Sequence, residues 1–174
     1  MSEMKAHGIK RVRQDPVQAF TRIFNSNAHK GLGKWYQDAL AVLKENERLY
    51  LRFMLLSGVR AMEGIKTFNL IVKLGSKYTE EYYNENTGFL EHFKHPELFL
   101  RRSKNAYVTA VPRELLDNIS TSSKISYNAI DKRLDRAGMP MRIKRLRSYY
   151  ATKMREMGLL QEQIDLVQGR VGKS

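Results

Sequence analysis

The last stretch of the chain, MRIKRLRSYYATKMREMGLLQEQIDLVQGRVGKS from Met141 to Ser174, sets a problem that any fold must solve. Lys144, Arg145 and Arg147 crowd beside the apolar residues of a helix, and Gly169-Arg170 stands just before the end. Cations on one face of a buried-type helix are costly unless something negative lies against them. A phosphodiester would meet that demand. The segment just upstream sharpens it: between Lys132 and Gly158 there are nine Lys/Arg (132, 133, 136, 142, 144, 145, 147, 153, 155) against Asp135 and Glu156. A solvated helical face would interleave both signs for i,i+4 pairing. This one does not.

The whole chain carries the same bias. Its net charge is +13 at neutral pH, which points to a polyanion, most simply nucleic acid. The competing reading is a basic protein with no such partner. With 174 residues and 42% apolar content, the chain can build one domain with a real core. There are no cysteines, so disulfides, thiolate metal sites and a Cys nucleophile are excluded. No apolar run approaches the ~18 residues of a membrane span, and the basic N-terminus lacks the apolar core of a signal peptide. The expectation is a cytoplasmic protein with no membrane contact.

Along the chain, Lys5, Lys10, Arg11 and Arg13 form a basic N-terminal arm, either a disordered terminus or an arm lying on phosphates. Asp15-Pro16 opens a short helix carrying Val17, Phe20 and Phe24. Gly31 and Gly33 break the chain, and helices follow from about Trp35 to Glu45 and from about Glu47. After the Ser57-Gly58 break, Ala61, Ile65, Phe68 and Val72 predict a helix with an inward face. Arg60 and Glu63 sit in its first turn, where the helix dipole suits the glutamate and not the arginine.

From Gly75 to Pro96 the pattern weakens and reads as a loop or small insertion. Glu91, His92 and His95 could be drawn as a metal site, but solvated loop histidines fit better, and no metal is expected. LFLRRSKNAYVTAVP reads as a hairpin pairing Leu98 to Arg101 with Tyr107 to Val111, with Lys104 at its tip. Pro112 opens a helix with Leu115, Leu116 and Ile119. A further helix has Tyr127, Ile130, Leu134 and Ala137 in phase and ends at Gly138 and Pro140. The fold class is therefore mainly α with a small β-hairpin or sheet, that is, α+β.

Arg60 after a Ser-Gly break, Lys104 on a hairpin turn, the K-x-x-R pair Lys144 and Arg147, and Gly169-Arg170 now stand in order. Together they resemble the catalytic domain of a tyrosine recombinase of the phage-integrase family. LLSGVRAMEGIK resembles the first box of that family, KRLRSYYATKMREMG the second and QGRVGKS the start of the third. Lys144 stands where the family usually has His, and Arg170 where it has the His of Gly-His. Both forms are similar to integrases of archaeal viruses of the fusellovirus kind and their plasmid relatives. The resemblance covers residues 34–174, leaving 1–33 as a basic arm and short helix.

The resemblance implies site-specific DNA integration. A tyrosine attacks a DNA phosphate, giving a 3′-phosphotyrosyl link and a free 5′-hydroxyl, with no cofactor and no metal. It also implies that Arg60 and Arg147 clamp the non-bridging oxygens, that Lys144 and Arg170 add donors, and that Lys104 protonates the leaving 5′-oxygen. Guanidiniums suit the clamp because they give paired donors and stay ionised. Lys132, Arg133, Arg136, Arg142 and Arg145 would contact the backbone of double-stranded DNA, on which the family assembles as a tetramer. The chain stops at Ser174, short of where the family carries its nucleophile, and Tyr149 and Tyr150 read as core. A domain truncated before its tyrosine, inactive alone, is expected. The other reading is a DNA-binding module that does no chemistry. A topoisomerase-like enzyme and an RNA-binding protein fit the boxes and the aromatic pattern less well.

Overall fold

The computed structural model describes residues 31–101 and 105–170. The N-terminal arm, the helix expected at Asp15-Pro16, the hairpin-tip Lys104 and the last four residues lie outside the described residues.

Helix α1 spans Leu32–Val42, α2 Glu45–Ser57 and α3 Ala61–Leu74. A short α4, Tyr78–Glu81, leads into strands β1, Tyr83–Asn84, and β2, Phe89–Glu91; then come α5, Pro96–Phe99, and β3, Val108–Ala110. The chain goes on through α6, Arg113–Ser120, α7, Tyr127–Arg136, α8, Ile143–Glu156, and α9, Gln161–Val167. The protein is mainly helical with a small three-stranded antiparallel sheet, an α+β fold as its sequence predicts.

Helix α2 is the hub. Its Tyr50, Leu51, Phe53 and Met54 are wholly buried, and it packs against α8, α3 and α6. Two helices start the same way. Glu47, third in α2, accepts a hydrogen bond from the Lys44 N–H at 2.9 Å, and Glu63, third in α3, accepts one from the Arg60 N–H at 3.2 Å. These carboxylates satisfy otherwise unpaired amides and complement the positive end of each helix. Between the two helices, Gly58 has φ +63°, and a Cβ there would fall on the Tyr150 ring. Only glycine serves at this corner, which lets α8 lie close against it.

Other side chains pin the loops. The Trp35 indole donates to the Pro140 carbonyl at 2.8 Å, and Asn69 pairs with both backbone groups of Ile125, each at 2.9 Å. Helix α1 starts earlier than expected, with Gly33 inside it and Gly31 making the turn. Ala137 lies just past α7 and is exposed, since the chain leaves the helix before that position can face inward.

Two expectations are corrected in the middle of the chain. The segment from Gly75 to Pro96 is not a loop: it holds α4, β1 and β2. The expected hairpin arm Leu98–Arg101 is not a strand. Pro96 opens a helical turn closed by the Leu100 N–H on the Pro96 carbonyl at 2.8 Å, so β3 pairs with β2 instead, Thr109 opposite Leu90. The chain still doubles back here, with the Ala106 N–H on the Phe99 carbonyl at 3.1 Å.

His92 is likewise no solvated loop residue. It is wholly buried against Phe99, its Nδ1 bonded to the Tyr82 hydroxyl and its Nε2 2.6 Å from Thr109 Oγ1. Burial, reinforced by nearby His95, pushes its pKa down to about 3, so the ring is neutral. It serves as the polar link between the sheet and Tyr82. Among the described residues no group of three or more His, Asp or Glu could hold a metal ion, and no helix is long and apolar enough to cross a membrane.

Candidate phosphate-binding site

The site forms where three chain breaks meet: the corner between α2 and α3, the loop entering β3, and the turn after α9. Arg60 caps α3 from outside its first turn. Its Nη1 lies 2.8 Å from Glu63 Oε1, which settles how an arginine stands at the positive end of a helix. Glu63, only 5% exposed, compensates the charge locally. The remaining Arg60 donors reach the Asn105 carbonyl at 3.4 Å and the Gly169 carbonyl at 3.2 Å.

Arg147 enters from α8, whose apolar residues Ile143, Leu146 and Tyr149 are wholly buried and fix the rotation of the helix. Its Nη1 donates to the Gly58 carbonyl at 3.1 Å and its Nη2 to the Gln168 carbonyl at 2.8 Å. The acceptors from the turn after α9 are thus consecutive: Gln168 takes Arg147 and Gly169 takes Arg60. Two guanidiniums from distant parts of the sequence are held by two consecutive peptide carbonyls. Gly169 has φ +62°, and a Cβ there would collide with the Asn105 carbonyl, so the turn is wedged against the β3 loop.

Arg170 follows at once, its N–H on the Asp165 carbonyl at 2.7 Å and its Nη1 3.9 Å from Asp165 Oδ1. Burial above all, and then the charges of Arg60 and Arg170, push the Arg147 pKa down to about 10; Glu63 and Asp165 oppose the shift. Arg147 stays cationic at neutral pH. Clustered like charges of this kind leave an excess of positive potential and several N–H donors for an anion with more than one oxygen. Side-chain exposures of 29% for Arg60 and 44% for Arg170 keep the cluster open to solvent.

The structure therefore brings Arg60, Arg147 and Arg170 together. Lys144 is exposed one turn upstream of Arg147 on α8. Lys132, Arg136 and Arg145 are exposed and Arg142 is half-buried. Arg133 is engaged, its Nε 2.7 Å from the buried Glu47 Oε2, and Lys153 is buried beside Glu156. The cationic run is thus partly paired after all, in one case through a carboxylate from another helix, which i,i+4 spacing cannot reveal. Sequence reasoning missed Gln168 and Asn105, which line the site through backbone carbonyls that any residue possesses. Tyr149 and Tyr150 are core, as expected, with burial raising both hydroxyl pKa values, that of Tyr150 to about 12.

Fold and site together define a helical domain with a solvent-open cluster of three arginines. The family model for archaeal phage integrase matches residues 32–174, and the chain belongs to that family. Comparison with curated proteins gave no match, nor did comparison with solved structures. Family membership assigns the protein to site-specific recombination of DNA in general.

Proposed function

We propose that this chain forms the phosphate clamp of a tyrosine recombinase. Arg60 and Arg147 hold the two non-bridging oxygens of a scissile DNA phosphate, and Arg170 and Lys144 add donors at its edge. A tyrosine oxygen attacks phosphorus, the bond from phosphorus to the 5′-oxygen breaks, and a 3′-phosphotyrosyl link forms. Lys104 delivers the proton that the leaving 5′-oxygen takes up. The 5′-hydroxyl of a second strand then reverses the step, so the phosphodiester bond is conserved without a cofactor. The clamp stabilises the five-coordinate phosphorus and its added negative charge. The observation that carries this reading is the juxtaposition of the Arg60 and Arg147 guanidiniums on the carbonyls of Gly169 and Gln168.

The nucleophile comes from outside residues 1–174. Of the nine tyrosines, seven (Tyr36, Tyr50, Tyr78, Tyr82, Tyr83, Tyr149 and Tyr150) are buried and Tyr127 is half-buried at the start of α7, which supports this assignment. Tyr107 is half-buried, and its hydroxyl accepts from Asn105 Nδ2 at 3.1 Å near the site. It is assigned to bracing the loop. Lys132, Arg136, Arg142 and Arg145 contact the DNA backbone, while Arg133, braced on Glu47, holds α7 to α2. The active assembly on DNA is a tetramer.

A nicked suicide substrate carrying the attachment site tests the reading, because cleavage traps a covalent protein–DNA adduct. Residues 1–174 alone give no adduct; the same protein continued through a tyrosine, or mixed with a tyrosine-bearing protomer, gives one. Tyr107→Phe leaves that adduct intact. If the tyrosine-bearing protein forms no adduct on its own site, the chain is instead a DNA-binding module without chemistry. If Tyr107→Phe abolishes the adduct, the nucleophile has been misassigned.

A further inference from the structure

The Gln168 side chain is buried beside the arginine cluster and has no role in the clamp as described, which uses only its backbone carbonyl. It is 1% exposed. Its side-chain Nε2 donates to the backbone carbonyl of Arg147 at 2.9 Å, while its own backbone carbonyl accepts from Arg147 Nη2 at 2.8 Å. One residue therefore holds both the main chain and the guanidinium of Arg147, across 21 positions of sequence. The other side-chain atom, Oε1, is buried with no hydrogen-bond partner among the described residues. An unpaired buried carbonyl is costly, and a methionine of similar reach would avoid that cost. Core filling alone would favour the methionine. The N–H donor is what only the amide supplies.

The neighbouring contacts fix what that donor controls. Helix α9 packs on α8 and β3, and the Gln168 N–H closes its last turn on the Ile164 carbonyl at 2.9 Å. Gly169 is wedged on the Asn105 carbonyl, and its own carbonyl takes Arg60. A turn held at Asn105 on one side and at the Arg147 backbone on the other cannot slide along α8. Without the second tether, the Gln168 carbonyl would be free to shift relative to α8, and the spacing of the two guanidiniums would shift with it.

We propose that Gln168 is a positioning residue of the recombinase clamp, tethering the turn after α9 to α8 so that Arg147 and Arg60 meet the same phosphate. The inference rests on the recombinase reading above. It assigns to the amide a function in the rate of strand cleavage rather than in DNA affinity, since exposed cations elsewhere supply most of the binding.

Single-turnover cleavage of the suicide substrate by the tyrosine-bearing protein provides the test. Gln168→Met is expected to slow cleavage by about tenfold to a hundredfold, the usual consequence of a small misplacement of a reacting or stabilising group. DNA affinity should be unchanged. In an Arg147→Lys background the same substitution should cost little more, because the group it positions is already gone. A purely structural residue would instead give penalties that multiply. Gln168→Leu, which removes the N–H donor without placing a charge beside the three arginines, should show the same loss and decides the matter if the methionine variant fails to unfold cooperatively. Cleavage at the parent rate by Gln168→Leu, or multiplying penalties in the double variant, overturns the proposal. If the unsubstituted protein cleaves nothing, the recombinase reading fails and takes this inference with it. Normal cleavage by the parent and by the Gln168 variants leaves that reading standing.

Discussion

At the scale of single residues, Arg147 stands where burial meets two other guanidiniums. Burial and two neighbouring guanidiniums weaken its hold on its proton, yet a pKa of about 10, with Glu63 and Asp165 opposing the shift, leaves it charged at neutral pH. Arg147→Ala should fold, because the guanidinium lies at the rim of the core, and should slow cleavage on the order of 10²–10³-fold, the typical cost of one oxyanion donor. Retention of the parent rate in a single-turnover assay would remove Arg147 from the clamp. Gly169 carries the opposite kind of constraint. Gly169→Ala adds a methyl where the Asn105 carbonyl lies and forces a left-handed backbone on a residue that resists it. Its thermal midpoint should fall by an amount corresponding to ~1–3 kcal/mol, measured by calorimetry. Arg60, Arg147 and Arg170 could be found in the sequence because each falls in a stretch that resembles a family box. Gln168 could not: a glutamine at a helix end looks like any solvated amide until the helix it closes is placed against α8.

At the scale of elements, the sheet and its polar link show where pattern reading stops. The β-formers of Tyr107 to Val111 were readable as a strand, but their partner was not. The expected arm is drawn into α5 by Pro96, while the two short strands upstream lie in an acidic, turn-rich segment with no alternation long enough to register. The burial of His92 is invisible to sequence pattern for a related reason. The neighbouring Glu91 and Lys94 form an ion pair at the surface, and the burial of His92 is a product of tertiary packing by Tyr82 and Phe99. A buried neutral His92 makes stability depend on pH. The folded pKa of about 3 lies below the ordinary value of 6.5, so the unfolded chain binds the proton more tightly. The contribution of the neutral ring is present in full above pH 6.5 and is lost as pH falls from there toward 3. By pH 5 the loss should reach ~2 kcal/mol. Urea unfolding between pH 5 and pH 7 should show this slope in the parent and lack it in His92→Gln. An identical slope in both would mean that His92 is not buried neutral.

At the scale of the whole molecule, the net charge of +13 is not spread evenly over function. Some of the cations are paired, as Arg133 is with Glu47, others gather at the arginine cluster, and Lys132, Arg136 and Arg145 remain on the surface of α7 and α8. Affinity for duplex DNA should fall steeply and linearly on a log–log plot against salt, and each of Lys132→Ala, Arg136→Ala and Arg145→Ala should flatten the slope by about 1. Anisotropy titrations over a salt series would show it, and a salt-independent affinity would contradict it. Occupation of the cluster should also raise the thermal midpoint, since an anion bound there relieves the repulsion around Arg147 and binds only the folded chain.

The central claim is that this cluster neutralises the charge of a scissile phosphate. Replacing one non-bridging oxygen of that phosphate by a methyl group removes its negative charge while leaving the leaving group in place. If Arg147 acts as assigned, the Arg147→Ala penalty in single-turnover cleavage should shrink sharply on the neutral methylphosphonate compared with the ordinary phosphate. An equal penalty on both substrates would contradict the account, because Arg147 would then be acting on something other than the charge of the phosphate.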